Sequence, residues 1–97
     1  LERALLYHED LSGVHNNWGY YYHKTGNIEM AIRSFSKAAQ LRSDNYKFLN
    51  NLGFALLESG NTGQALRTLQ RSLSLKENQP RIKRLLRENT SFQEVSE

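Results

Sequence analysis

The chain has 97 residues, of which 38% are hydrophobic and 24% are charged, and it contains no cysteine. This length suits one small domain with a modest core, and the lack of cysteine excludes a disulfide framework or a cysteine-ligated metal site. The formal net charge of +3 permits an acidic partner without requiring one. No apolar run approaches the length of a membrane span.

The N-terminal segment, residues 1–10, has apolar residues at helical spacing, including Leu1, Ala4 and Leu5. We expect this segment to be the second helix of a truncated repeat. It is too short and too polar for a signal peptide, and it does not begin with methionine, so we expect the chain to be a fragment of a longer protein. The localisation stays open between the cytoplasm and a bacterial periplasm.

Polar turns divide the rest of the chain into predicted helices. Ser12 is a candidate N-cap for the first helix and Asn27 for the second, and Gly26 is placed to take the left-handed backbone that ends a helix. Pro80 suits the first position of the last helix. The predicted helices span residues 13–24, 28–41, 46–58, 62–75 and 80–90, and a frayed acidic tail follows over residues 91–97.

The predicted helices repeat with a fixed offset of 34 residues, which relates Gly19 to Gly53 and Gly26 to Gly60. A glycine inside a helix costs roughly 1 kcal/mol against alanine, so its recurrence predicts that a second helix approaches closely at both places. A fixed period of this length is typical of a solenoid of helical hairpins. We therefore divide the chain into repeat one (12–45), repeat two (46–79) and a capping helix (80–90) within one domain.

The repeated motif resembles the tetratricopeptide repeat family, whose first helix carries Leu-Gly-x2-Tyr and whose second helix carries Ala-x3-Phe-x2-Ala. The matching residues are Gly19, Tyr22, Ala31, Phe35 and Ala38 in repeat one and Leu52, Gly53 and Ala65 in repeat two. Repeat two departs from the motif at Leu56, Leu69 and Ser72, and the proline after the second helix is missing in both copies. The resemblance implies an all-α solenoid of antiparallel helix hairpins, a right-handed superhelix whose first helices line a concave groove.

The resemblance also implies which residues form a peptide-binding groove. The groove positions are Asn16, Asn17, Tyr20, His23, Lys24, Lys47, Asn50, Asn51, Phe54, Leu57, Arg81 and Arg84, together with Gly13, Glu58 and Glu88. Asn17 and Asn51 match a family asparagine that bonds the backbone of a bound peptide, since an amide can donate and accept at once. Alternatively, these two residues hold a neighbouring helix through a side-chain hydrogen bond.

Tyr20 and Phe54 occupy equivalent places on the expected groove wall. Exposed aromatic rings with cationic neighbours would suit a peptide that has apolar anchors and some acidic character. Alternatively, either ring covers the core of its own hairpin. Tyr21 and Tyr22 are expected to be packing residues.

More specialised chemistry is not indicated. A chaperone-tail clamp is not expected, because only Asn51 and Arg81 match its five family positions. His8, His15 and His23 stand in no metal-binding motif, and the chain has no nucleophile elbow. We therefore expect no enzyme activity, no cofactor and no metal site.

Two alternatives to peptide binding stay open. Arg33 and Lys37 recur as Arg67 and Arg71 on the outer helices, and a basic stripe is typical of nucleic-acid binding, although glutamates interrupt this one. Self-association into a homo-oligomer would instead cover apolar side chains of the truncated repeat, Leu1, Leu5 and Leu6.

The favoured interpretation is a non-catalytic protein–protein interaction module, a scaffold or assembly factor that binds a protein or peptide partner in its groove. Residues 49–56 and 80–83 also look somewhat like pilus-assembly and secretion members of the family, but these motifs are generic. The same groove accommodates unrelated partners, so the fold alone does not identify the partner.

Overall fold

The computed structural model describes the backbone of residues 11–96 and the side chains of residues 11–89. Residues 11–96 form five α-helices and no strand. The helices are α1 (Leu11–Lys24), α2 (Ile28–Leu41), α3 (Tyr46–Glu58), α4 (Thr62–Leu75) and α5 (Pro80–Ser96). None of them is both long enough and apolar enough to cross a membrane.

Each helix packs against the next one in the chain. The α1–α2 and α3–α4 hairpins make the largest contacts, α2 packs on α3 between them, and α5 covers α4 at the C-terminal end. This arrangement confirms the predicted all-α solenoid of helix hairpins. The expected helix over residues 1–10, and with it the leucines proposed for self-association, lies outside the described residues.

The bounds of α2, α3 and α4 agree with the prediction, as do the end of α1 at Lys24 and the start of α5 at Pro80. The start of α1 and the end of α5 do not. Helix α1 already includes Leu11 and Ser12, so the prediction of Ser12 as an N-cap before a helix from residue 13 is wrong. Helix α5 continues to Ser96, well beyond the predicted end at residue 90. No glycine or proline follows Pro80, and acidic residues alone do not end a helix.

The turns between the paired helices have the predicted chemistry. The Asn27 side chain accepts a hydrogen bond from the backbone N–H of Met30 at 3.3 Å and so caps α2. Gly26 and Gly60 follow α1 and α3 with φ angles of 83° and 92°, the left-handed backbone that glycine adopts without steric cost.

Two glycines inside helices allow each hairpin to close. A Cβ added at Gly19 would lie 2.9 Å from Cγ of Phe35 and closer still to two other ring atoms. A Cβ at Gly53 would lie 2.7 Å from Cγ of Leu69. Phe35 and Leu69 are buried side chains of the partner helices, so the close approach predicted from the repeated glycine is confirmed at both places.

The buried core runs between the hairpins. Its larger part joins α2, α3 and α4 through small, aliphatic and aromatic side chains, and its smaller part joins α4 to Ile82 and Leu86 of α5. Tyr22 packs against the larger part, as predicted. Tyr21 is not part of the described core: 53% of its surface is exposed, and its ring meets the rings of Trp18 and Tyr22 on the same helix.

Candidate functional site

Helices α1, α3 and α5 lie side by side and form one surface, called here the inner face. The Asn51 side-chain N–H donates to Oδ1 of Asn16 at 2.9 Å, which joins α3 to α1. The guanidinium of Arg81 lies over the Phe54 ring, 5.0 Å from its centroid, which joins α5 to α3. Side chains of α1, α3 and α5 therefore meet on this face.

A small hollow of about 100 Å³ opens on the inner face between α1 and α3, and we call it the inner hollow. Its walls and floor are formed by Tyr20, His23, Asn51, Phe54, Glu58 and, beneath them, Phe35 and Ala55. The Tyr20 ring meets the Phe35 ring edge to face, with centroids 5.6 Å apart, and still leaves 52% of the residue exposed. Tyr20 therefore covers the hairpin core and also faces solvent, so both alternatives drawn from the sequence hold for it.

The charges around the inner hollow are unevenly distributed. Nε2 of His23 and Oε1 of Glu58 lie 2.7 Å apart. Glu58 is the one acidic residue that lines the hollow, and its carboxylate is therefore paired with His23. Arg81 contacts Phe54 and has no carboxylate within ion-pair distance among the described residues. The Phe54 wall of the hollow is therefore in contact with a cation that has no carboxylate partner within residues 11–89.

The Asn51 side chain forms hydrogen bonds within the fold. Its amide nitrogen donates to Asn16, and its Oδ1 accepts a long hydrogen bond of 3.4 Å from the Tyr20 hydroxyl. These bonds favour the alternative in which the asparagine holds a neighbouring helix. The second amide hydrogen is still available at the wall of the inner hollow, since an asparagine amide carries two donors.

Asn50 faces a different partner set. Oδ1 of Asn50 accepts from the Ser72 hydroxyl at 2.5 Å, and its amide nitrogen donates to Oε1 of Gln79 at 2.7 Å. Ser72 is fully buried in α4, and Gln79 also donates to Ser72 at 3.1 Å. This network ties α3 to α4 and to the turn before α5. Leu57, half-buried between the two parts of the core, is likewise occupied by packing.

The sequence prediction missed this polar network, although one signal for it was present. Ser72 occupies the family position that holds alanine in repeat one, where Ala38 is fully buried. A hydroxyl in a buried alanine position must find a partner, because an unpaired buried hydroxyl is costly. That departure from the motif pointed to a polar side chain across the hairpin.

Asn17 lies apart from the inner hollow. It lines a shallow surface on α1 with Val14, Trp18 and Tyr21. Asn17 and Asn51 are equivalent in sequence, but the structure does not bring them together. Lys24, Lys47 and Arg84 are exposed, and none forms an ion pair within the described part of the chain.

The inner hollow suits binding more than reaction chemistry. Its titratable groups are the rim pair His23 and Glu58, which are partnered with each other, together with the Tyr20 phenol. Residues 11–89 contain no group of three histidine, aspartate or glutamate side chains that could hold a metal ion. What the walls offer to a ligand is aromatic surface with a cation at the edge.

A stack of helix hairpins with a preformed hollow between its first helices defines the chain as a helical-repeat binding protein. The family model described as tetratricopeptide repeat matches residues 22–88, more than half of the chain, and the chain belongs to this family. Membership indicates a protein–protein interaction module, and the family is in general non-catalytic. A comparison with curated proteins finds no match.

Proposed function

We propose that the chain binds a segment of a partner protein on its inner face and that the inner hollow receives an apolar side chain of that segment. The observation that carries the proposal is the pair of aromatic walls, Tyr20 on α1 and Phe54 on α3, above the buried ring of Phe35. Aromatic residues around a small pocket are the usual anchors of protein interfaces, since they offer large apolar area at low entropic cost.

The charge of the rim favours acidic residues beside this anchor. Arg81 lies at the Phe54 wall without a carboxylate partner, and Lys24, Lys47 and Arg84 are exposed and unpaired within residues 11–89. An acidic residue next to the apolar anchor would meet the Arg81 guanidinium, which presents several donors in a fixed plane. We therefore expect the bound segment to combine an apolar side chain with at least one carboxylate.

The bridges between the helices support binding to a preformed surface. The Asn16–Asn51 hydrogen bond and the His23–Glu58 contact join α1 to α3 on the two sides of Tyr20. A surface that is already ordered loses less conformational entropy on binding than one that must form around its ligand. Such a module suits a scaffold or assembly factor. A role in pilus assembly or secretion stays a prediction from sequence similarity alone.

The proposal can be tested by affinity capture from the native cell, with the captured proteins identified by mass spectrometry. The test bait carries Tyr20→Ala and Phe54→Ala, and the control bait carries Tyr21→Ala. Tyr21 is a good control because it is a tyrosine of nearly equal exposure, 53% against 52% for Tyr20, that does not line the inner hollow. Circular dichroism establishes that each bait is folded.

We expect a partner that is retained by the unchanged chain and by Tyr21→Ala but lost by the double variant. Equal recovery on all three baits would contradict the proposal, because binding would then not use the inner hollow. Loss of the partner on the Tyr21→Ala bait alone would instead place the binding site on the shallow surface of α1 that includes Trp18 and Tyr21.

A further inference from the structure

A second cleft lies on the opposite side of the solenoid from the inner hollow, and we call it the outer cleft. It has a volume of about 410 Å³ and lies between α2 and α4, with Leu49 and Leu52 of α3 at its floor. Its walls are polar: Ser36 and Gln40 on α2 face Gln64 and the two arginines of α4. The outer cleft shares no residue with the inner hollow.

The charge of the outer cleft has one sign. Arg67 and Arg71 stand one helical turn apart on α4 and both line the cleft, and none of the lining residues is acidic. Helix α4 has no acidic residue, and the only one on α2 is Glu29 in its first turn. Neither arginine has a carboxylate within ion-pair distance in the part of the chain that the structure describes.

Three of the polar side chains that line the outer cleft also have no hydrogen-bond partner in the described part of the chain. Within residues 11–89, the side chains of Ser36, Gln40 and Gln64 form no hydrogen bond to the rest of the protein. Amides and hydroxyls in this position can donate to and accept from an extended main chain. The cleft thus combines two guanidinium groups, free amide groups and an apolar floor in one concave surface.

We propose that the outer cleft binds an acidic segment of a protein, with carboxylate side chains at Arg67 and Arg71 and an apolar side chain towards Leu49 and Leu52. Two guanidinium groups one turn apart match carboxylates, with which arginine forms charge-assisted hydrogen bonds. The lack of any aromatic ring among the lining residues disfavours a single-stranded nucleic acid, since such ligands are held largely by base stacking. This site goes beyond the proposed function, because it does not depend on the inner hollow.

The sequence repeat provides a matched control for the experiment. Arg33 and Lys37 on α2 are the equivalents of Arg67 and Arg71 one repeat earlier, and they are exposed but do not line the outer cleft. The two double variants Arg67→Glu/Arg71→Glu and Arg33→Glu/Lys37→Glu change the net charge by the same amount. Any difference in binding between them therefore reports position and not overall charge.

The probe is a short fluorescently labelled peptide of glutamate and leucine, and its binding is measured by fluorescence anisotropy. We expect Arg67→Glu/Arg71→Glu to weaken binding by about tenfold or more, because charge-assisted hydrogen bonds are lost. The control pair should weaken it by less than about threefold, the effect of distant surface charge. A peptide with glutamine in place of glutamate should bind less tightly to the unchanged chain.

Several outcomes would overturn the proposal. Equal loss in the two charge-reversed pairs would show general attraction to a basic surface, and full binding to Arg67→Glu/Arg71→Glu would place the peptide outside the outer cleft. No binding of the peptide to the unchanged chain would also reject the site, as would tighter binding of a single-stranded oligonucleotide that depends on Arg67 and Arg71. If the charge-reversed chain does not fold, Arg67→Gln/Arg71→Gln makes the same test with a smaller change.

Discussion

The imidazole of His23 and the carboxylate of Glu58 lie 2.7 Å apart, although the two residues are 35 positions apart in the sequence. His23 lies in the last turn of α1 and Glu58 is the last residue of α3, so their contact joins the C-terminal ends of two first helices. The pair also forms one edge of the inner hollow. Contacts of this kind between equivalent helices position the aromatic walls relative to one another.

The His23–Glu58 pair is expected to position the hollow more than to stabilise the fold. Both side chains are substantially exposed, at 45% and 58%, and exposed pairs are worth about 0.2–1 kcal/mol because water screens them. A double-mutant cycle with His23→Gln and Glu58→Gln, followed by urea unfolding, should give a coupling energy in that range. A coupling well above about 2 kcal/mol would contradict the exposure of the pair.

Gly19 in α1 and Gly53 in α3 are expected to tolerate no side chain. Gly19→Ala would press a methyl group against the Phe35 ring, and Gly53→Ala would press one against Leu69. Each change should lower the free energy of unfolding by about 1–3 kcal/mol, the usual cost of overpacking a core. Urea unfolding measures the effect.

Gly63 provides the control for this prediction. It also lies in a helix, but a Cβ there would meet only a guanidinium nitrogen of Arg67 at 3.8 Å. Gly63→Ala should leave the stability unchanged or raise it by up to about 1 kcal/mol, because alanine favours a helix over glycine. Equal destabilisation at Gly63 would mean that the loss at Gly19 does not come from the packing against Phe35.

Ser72→Ala restores the residue of the family motif, and we nevertheless expect it to destabilise this chain. The fully buried hydroxyl donates to Oδ1 of Asn50 and accepts from the side-chain N–H of Gln79. Its removal leaves those groups with fewer partners, at a cost of about 1–3 kcal/mol in the free energy of unfolding. Urea unfolding of Ser72→Ala and of Ala38→Ser, the reverse change in repeat one, tests this.

A double-mutant cycle between Ser72 and Asn50 tests the same network further. In the double variant Ser72→Ala/Asn50→Ala the loss should be smaller than the sum of the two single losses, because the Asn50 amide is no longer left with an unmet acceptor. Additive losses would contradict the network, since they would mean that Ser72 and Asn50 act independently.

The sequence by itself determined the helices that have a complete local signal. The bounds of α2, α3 and α4 follow from apolar stripes separated by polar turns, with Asn27 capping the start of α2 and the left-handed Gly60 after the end of α3. These signals act within one or two turns of the chain. The end of α5 lacks such a signal, and so its bound was not predicted. The 34-residue period then predicted the hairpin packing, because equivalent residues face equivalent neighbours.

Only the tertiary structure decided which polar side chains are bonded within the fold and which stay exposed. Asn17 and Asn51 occupy the same place in the motif, yet Asn51 bonds α1 while Asn17 lies on an exposed surface. Trp18 is 49% exposed where its equivalent Leu52 is 8% exposed. The physical reason is that a side chain's partners in a solenoid come from the neighbouring repeat, some 30 residues away, and depend on whether that neighbour covers it.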